Sequence, residues 1–249
     1  MPRTLRILDI DVDAVTLAES VDLVCQAVDS HRGHGQEVFQ VATVNPEFIM
    51  LARRDENFRQ LLGRCQLRTA DGVGLQLAAR LLGGRLPQRV TGVDLVLGIA
   101  AAAARRGDRL FLLGAAHGVA SAAAERLRQL HPSLQVVGAL SGEPGEEGDA
   151  ESLAAVRESR ADIVLVAYGA PLQERWAARN LTVSGAAVAI GVGGTFDYLS
   201  GRVRRAPALM RRLGLEWLYR LARQPWRARR MSVLPVFLLL VLMQRLRRA

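Results

Sequence analysis

"ATVNPEFIMLARRDENFRQLLGRCQLRTADGVGLQLAARLLGG" (Ala42–Gly84) reads as the end of one strand, a helical run, a second strand and a second helical run. Asn45-Pro46 is a cap followed by proline at the first helical position, which opens "EFIMLARRDENFRQLLG". "CQLRTA" (Cys65–Ala70) is short and alternating, as a strand should be, and "GVGLQLAARLLGG" ends in a glycine pair that stops a helix. Asp71 stands alone between strand and helix. It can cap the helix through its carboxylate, or it can present that carboxylate to a ligand.

The same rhythm extends in both directions. Further strand candidates are "LRILDI", "EVFQVAT", "RLFLLGA", "LQVVGAL", "ADIVLVAYG" and "AAVAIGVGG". Helical runs lie between them, among them Leu17–Ser30, opened by a Thr16/Glu19 capping box. Strands alternating with helices predict an α/β fold: a Rossmann-like, mainly parallel sheet with helices on both faces. The alternation stops near Gly201. Beyond it lie "APALMRRLGLEWLYRLARQPWRARRM" and "SVLPVFLLLVLMQRLRRA", which are basic and helix-like. The expected organisation is an α/β domain over residues 1–201 and a helical basic C-terminal appendage over residues 202–249.

Charge supports that division. Of 249 residues, 33 are basic and 24 acidic, and every basic one is arginine. Residues 202–249 hold 13 arginines and one acid, Glu216, a net +12, against −3 for residues 1–201. Cys25 and Cys65 match no metal or redox spacing and read as small buried hydrophobes of a reducing compartment. His31 and His34, in "SHRGHG", read as solvated turn residues. Asp9, Asp11 and Asp13 interrupt the region where a secretory signal needs an apolar core. The apolar run "VLPVFLLLVLM" (Val233–Met243) is too short to span a bilayer.

In open α/β sheets ligands bind beyond the carboxyl ends of the strands. The residues expected there are Thr43 and Asn45 after the second strand, Asp71 after the third, Gly114 after the fourth, Gln173 in "APLQE", and Gly193, Gly194 and Asp197 in "GVGGTFDYLSG". Small residues let backbone amides approach a phosphate, so this edge suits a polar ligand such as a nucleotide sugar. "GVGLQL" lacks the third glycine of a dinucleotide fingerprint and follows the wrong strand. A P-loop lysine and a serine nucleophile elbow are also missing. "DIDVD" imitates the acidic metal-binding pair of many sugar transferases, but its place before the Thr16 cap reads better as a solvated turn.

Five blocks in order, "ATVNPEFIMLARRDENFRQLLGRCQLRTADGVGLQLAARLLGG", "RVTGVDL", "VAYGAPLQERWAARN", "IGVGGTFDYLSGRVRRAP" and "GLEWLYRL", resemble the WecG/TagA/CpsF family of bacterial glycosyltransferases. The resemblance runs from about Leu8 to Arg230. It implies an inverting, metal-independent enzyme with no cofactor. The donor would be a UDP-sugar, such as UDP-N-acetylmannosamine or its uronic acid. The acceptor would be a polyprenyl-diphosphate-linked GlcNAc of cell-surface polysaccharide synthesis. By the same resemblance Asp71 is the general base, and Thr43 and Asn45 line its pocket. Arg89 and Gln173 contact donor or acceptor, Asp197 contacts the donor, and Arg220, Arg227 and Arg230 of the appendage reach the site.

The chemistry agrees. Inversion needs one carboxylate to take the acceptor hydroxyl proton, and a leaving diphosphate without a metal needs arginines, whose planar fork pairs with phosphate oxygens. The apolar end of the appendage, flanked by arginines, suits an anionic membrane surface. The expected enzyme is cytoplasmic and peripheral on the inner face of the cell membrane, binds no nucleic acid, and admits a homo-oligomer. Two other classes stand beside it. An Arg-rich nucleic-acid-binding module fits a pI of 11.0, but leaves the apolar run and the polar edge without a purpose. A nucleotide-linked oxidoreductase lacks its fingerprint.

Overall fold

The computed structural model describes residues 2–35, 37–207, 209–210, 215–223 and 232–247. The chain opens with β1 (Thr4–Ile7) and β2 (Ile10–Asp13), an antiparallel hairpin. "LRILDI" is therefore not one strand. Leu8 and Asp9 both take positive φ, 45° and 70°, which lets the chain reverse in two residues. Of "DIDVD" only Asp9 lies in the exposed turn; Ile10–Asp13 form β2. Asp13 is buried, and its Oδ2 accepts the backbone N–H of Arg68 at 2.6 Å and lies 3.3 Å from Arg68 Nε. Asp9 pairs with Arg53 and Asp11 with Arg6.

Helix α1 (Leu17–His34) begins at the Thr16/Glu19 capping box and ends at Gly35 in the left-handed conformation. It runs four residues past the expected end, so His31 lies on the helix rather than in a turn. Next come β3 (Phe39–Val44), α2 (Pro46–Ala52), α3 (Glu56–Arg64), β4 (Leu67–Ala70) and α4 (Val73–Leu81). The long run after Asn45 is thus two helices. Asp55 starts the second by accepting the N–H of Phe58 at 2.9 Å, because an Asp at that place offers the backbone a cap that competes with continuing the helix. The chain continues through α5 (Gly92–Arg106), β5 (Arg109–Gly114), α6 (Val119–Leu130), β6 (Gln135–Leu140), α7 (Asp149–Ser159), β7 (Ile163–Ala167), α8 (Leu172–Ser184), β8 (Val188–Gly191) and α9 (Thr195–Leu199). Beyond residue 201 the described residues include α10 (Glu216–Arg223) and α11 (Val233–Leu246).

Six strands form one parallel sheet in the order β4-β3-β8-β7-β5-β6. Its inner strands are apolar on both faces, as a doubly covered parallel sheet requires. Side chains alternate between the faces. Leu110 and Leu112 join one core with α1, α5 and α6, while Phe111 and Leu113 join another with Trp176 of α8. A third core, under α2, α3 and α4, includes Phe48, Phe58 and Leu75. At the amino ends of β5 and β7 the buried acids Asp108 and Asp162 are bridged by Arg32 at 2.9 and 3.0 Å, so that end of the sheet is closed by ion pairs.

The apolar run near the C-terminus has two faces. Phe237 and Val241 of α11 are fully buried in the third core, against α2 and α4. Val236, Leu239, Met243 and Leu246 lie on the exposed side, Leu239 at 59% and Leu246 at 76%. The far end of α11 is tied down by polar bonds. Gln244 Oε1 accepts the N–H of Leu8 at 3.0 Å, and Arg245 Nη1 donates to the carbonyl of Leu81 at 3.0 Å. Among the described residues no helix is long and apolar enough to cross a membrane.

Candidate active site

Four neighbouring strands, β4, β3, β8 and β7, deliver their carboxyl ends to a cavity of about 360 Å³, within the range of small-molecule sites. Thr43, next to last in β3, is buried, and its Oγ1 donates to the carbonyl oxygen of Gly191 in β8 at 2.8 Å. Asn45 Oδ1 accepts the N–H of Phe48 at 3.1 Å, so this side chain caps α2 while lining the cavity.

Asp71 follows β4 and lines the same cavity. Its backbone N–H donates to the carbonyl of Val44 at 2.7 Å, extending the ladder one residue beyond the strand. Of the two roles open to it in the sequence, Asp71 does not take the N-cap position itself. Gly72 holds the N-cap position, at φ +108°. A backbone in that region favours glycine, and it separates Asp71 from the helix that follows. Gly74 has a packing reason: a Cβ there would lie 2.7 Å from Pro46 Cγ, so the starts of α2 and α4 meet beside the cavity.

Gln173 enters from α8, nearly inaccessible to solvent. Its Oε1 accepts two backbone N–H groups, from Gly169 at 3.1 Å and Gly193 at 2.9 Å. Both glycines line the cavity, from the segments after β7 and β8. Thr91, the N-cap of α5, lines it too, and its Oγ1 donates to Asp94 Oδ2 at 2.7 Å. The first amides of α5 add positive potential at this wall.

The structure thus brings Thr43, Asn45, Asp71 and Gln173 together. Arg89 and Asp197 stand outside the cavity lining. Arg89 Nη2 lies 4.0 Å from Glu216 of α10, and Arg205 approaches the same carboxylate at 3.6 Å while binding Asp94 at 2.8 Å. Asp197 sits on α9, where its backbone carbonyl accepts the N–H of Val203 at 2.9 Å. Gly114 also lies away from the cavity, pressed against the end of β7. Arg220 is on α10 with its side chain outside the description, and Arg227 and Arg230 lie outside the described residues.

Several lining residues were not anticipated: Glu47 and Leu51 on α2, Arg54 in the turn that follows it, Tyr198 on α9, and Val233 at the start of α11. The first three had a readable signal. In the single helical run that the sequence suggests after Asn45, positions 47, 51 and 54 share one face. Val233 had none, because its place depends on how α11 docks. A second, more open cleft of about 890 Å³ lies between β1, α1 and the segment after α4, lined by Arg3, Glu19, Asp22 and Arg85. It holds none of the strand-end residues, so the smaller cavity is the candidate site.

A parallel α/β sheet with an acid, amides and hydroxyls gathered at its strand ends places the protein among α/β folds with a site built for a polar ligand. Residues 5–249 match the model of the glycosyl transferase WecG/TagA/CpsF family. The chain is 35% identical over 204 residues to the N-acetylglucosaminyldiphosphoundecaprenol N-acetyl-beta-D-mannosaminyltransferase of Bacillus subtilis (strain 168), covering 81% of this chain and 78% of that protein. It is 34% identical over 203 residues to the enzyme of the same name from Bacillus spizizenii (strain ATCC 23059 / NRRL B-14472 / W23), with the same coverage. The protein belongs to the WecG/TagA/CpsF family and is a glycosyltransferase.

Proposed function

We propose that this glycosyltransferase moves N-acetylmannosamine, or a closely related sugar, from a UDP-sugar to a polyprenyl-diphosphate-linked GlcNAc, with inversion and without a metal. The convergence of Asp71, Thr43, Asn45 and Gln173 on one cavity carries this reading; the names of the relatives give an N-acetylmannosaminyl group and a diphosphoundecaprenol-linked GlcNAc acceptor, and the UDP donor follows from the family resemblance. Asp71 takes the proton of the acceptor hydroxyl as its oxygen attacks the anomeric carbon. The bond from that carbon to UDP breaks on the opposite face, and UDP leaves with the electron pair. A positioned base contributes roughly 10²–10⁴-fold. Negative charge developing on the diphosphate calls for cations and aimed amides. In this reading Arg89, Arg220, Arg227 and Arg230 supply the cations and Asp197 contacts the donor.

The acceptor's lipid requires the enzyme to work at a membrane surface, on the cytoplasmic face where nucleotide sugars are made. The exposed row Val236, Leu239, Met243 and Leu246 on α11, beside the exposed Arg245 and Arg247, supports that placement. Each arginine near an anionic leaflet is worth about 1 kcal/mol. The test offers a panel of UDP-sugars with a prenyl-diphosphate-GlcNAc analogue and reads product mass and anomeric configuration. A β-linked N-acetylhexosamine from a UDP-α-sugar is expected. No transfer from any UDP-sugar, or retention of configuration, would overturn the reading.

A further inference from the structure

The first turn of α8 buries two polar side chains in succession, Gln173 and Glu174. Gln173 Nε2 donates to Glu174 Oε1 at 2.6 Å, while Gln173 Oε1 receives the N–H groups of Gly169 and Gly193. A primary amide can be rotated by half a turn at little intrinsic cost. Only one orientation satisfies two N–H donors on one side and a carboxyl oxygen on the other. Gly191 leaves the space in which this pair fits. A Cβ there would lie 2.4 Å from Glu174 Oε1 and 2.6 Å from Gln173 Nε2. The carbonyl of the same Gly191 accepts from Thr43. One compact group therefore joins the ends of β3, β7 and β8.

Glu174 is a costly residue to place here. Its Oε2 is buried without a hydrogen bond among the described residues, and burial pushes its carboxyl up to about 7. An apolar residue of similar volume would serve a core as well or better. We infer that Glu174 is a positioning residue, which holds the Gln173 amide in the one orientation that ties the 169–173 and 192–195 segments together around the donor site. The acceptor role does not need the charge, because a carboxylic acid protonated on Oε2 still offers Oε1 to the amide. The inference rests on the proposed reading of this cavity as the sugar-nucleotide site.

The test uses the full chain and two readouts: amide hydrogen exchange at Gly169 and Gly193, and kcat and KM for transfer. Exchange needs no substrate, so its result stands even if no UDP-sugar is turned over, an outcome that would count against the functional reading alone. Glu174→Leu keeps the volume and removes the acceptor. It is expected to keep or raise the thermal midpoint, to lose protection at both glycines by tenfold or more, and to lower kcat/KM by at least tenfold. Glu174→Gln, which retains an acceptor oxygen, should stay within about threefold of the parent in both readouts. If Glu174→Leu does not fold, Glu174→Asp draws the acceptor back by one methylene and is expected to show the same losses. In the background of Gln173→Ala, Glu174→Leu should cost no further activity. Parent-like protection and activity in folded Glu174→Leu or Glu174→Asp would overturn the inference, as would an additive loss in the double variant.

Discussion

Thr43 and Gly191 are joined across adjacent parallel strands by a side-chain bond, Thr43 Oγ1 donating to the Gly191 carbonyl at 2.8 Å. The bond lies at the edge of the cavity, so it braces the site as well as the sheet. Thr43→Val removes the donor and leaves a buried carbonyl short of a partner, which costs roughly 1–3 kcal/mol. Thr43→Ser restores most of it. Denaturant midpoints check this, and a valine variant as stable as the parent would show that the hydroxyl braces nothing.

The two faces of α11 can be separated. Phe237→Ala empties a fully buried site in the core beneath α2 and α4 and should destabilise the protein by about 3–5 kcal/mol. Leu239→Asp, on the exposed face, should leave the unfolding midpoint nearly unchanged and weaken binding to anionic liposomes severalfold or more. Removal of residues 232–249 is then not a neutral trim. It strips Phe237 and Val241 from a core, and a calorimetric scan should show a lower midpoint than the full chain.

Glu174 makes stability depend on pH. Its carboxyl, raised by burial to about 7 in the folded protein, starts from an ordinary value of 4.5. The fold therefore holds a proton that the unfolded chain has released. This contribution is fully present below about pH 4.5 and is lost as pH rises through 7. Glu174→Gln does not titrate. Relative to that variant, the parent should lose on the order of 3 kcal/mol between pH 4.5 and 8. The neighbouring Cys65 thiol, raised to about 12 chiefly by its own burial and next by the Glu174 charge, stays neutral throughout. A pH-independent difference between the two proteins would place the Glu174 proton elsewhere.

Chelation separates two uses of acidic residues. Asp9, Asp11 and Asp13 each face an arginine, Asp13 as a buried partner of Arg68. Addition of EDTA is expected to leave transfer largely intact. Loss of activity that Mg²⁺ or Mn²⁺ restores would bring "DIDVD" forward as a metal site.

Much of this was legible in the chain because its signals are local. The Thr16 capping box, the Asn45-Pro46 helix start and the apolar runs of the parallel strands depend on near neighbours, and they place Thr43, Asn45 and Asp71 at one sheet edge. The hairpin turn at Leu8-Asp9 was not legible, since a leucine at positive φ is held by distant bonds, including one from Gln244. The cap position at the start of α4 was left open because Asp and Gly are both good N-caps, and the structure gives it to Gly72 at positive φ. The burial of Phe237 and the cavity position of Val233 arise from docking of α11, which the local pattern does not encode. Gln173 was placed by resemblance as a ligand contact. In the fold its oxygen holds two backbone amides, a role visible only once β7 and β8 lie side by side.

The central claim is that Asp71 is the base. Gly72 occupies the cap position, and Asn is nearly isosteric with Asp and accepts the same hydrogen bonds through its amide oxygen, so Asp71→Asn removes the base with little change to the start of α4. Turnover of a UDP-sugar with soluble prenyl-diphosphate-GlcNAc analogue should be measured beside UDP affinity and the thermal midpoint. The account predicts unchanged affinity and midpoint with a fall in kcat of roughly 10²-fold or more. A folded Asp71→Asn protein that turns over near the parent rate would contradict it.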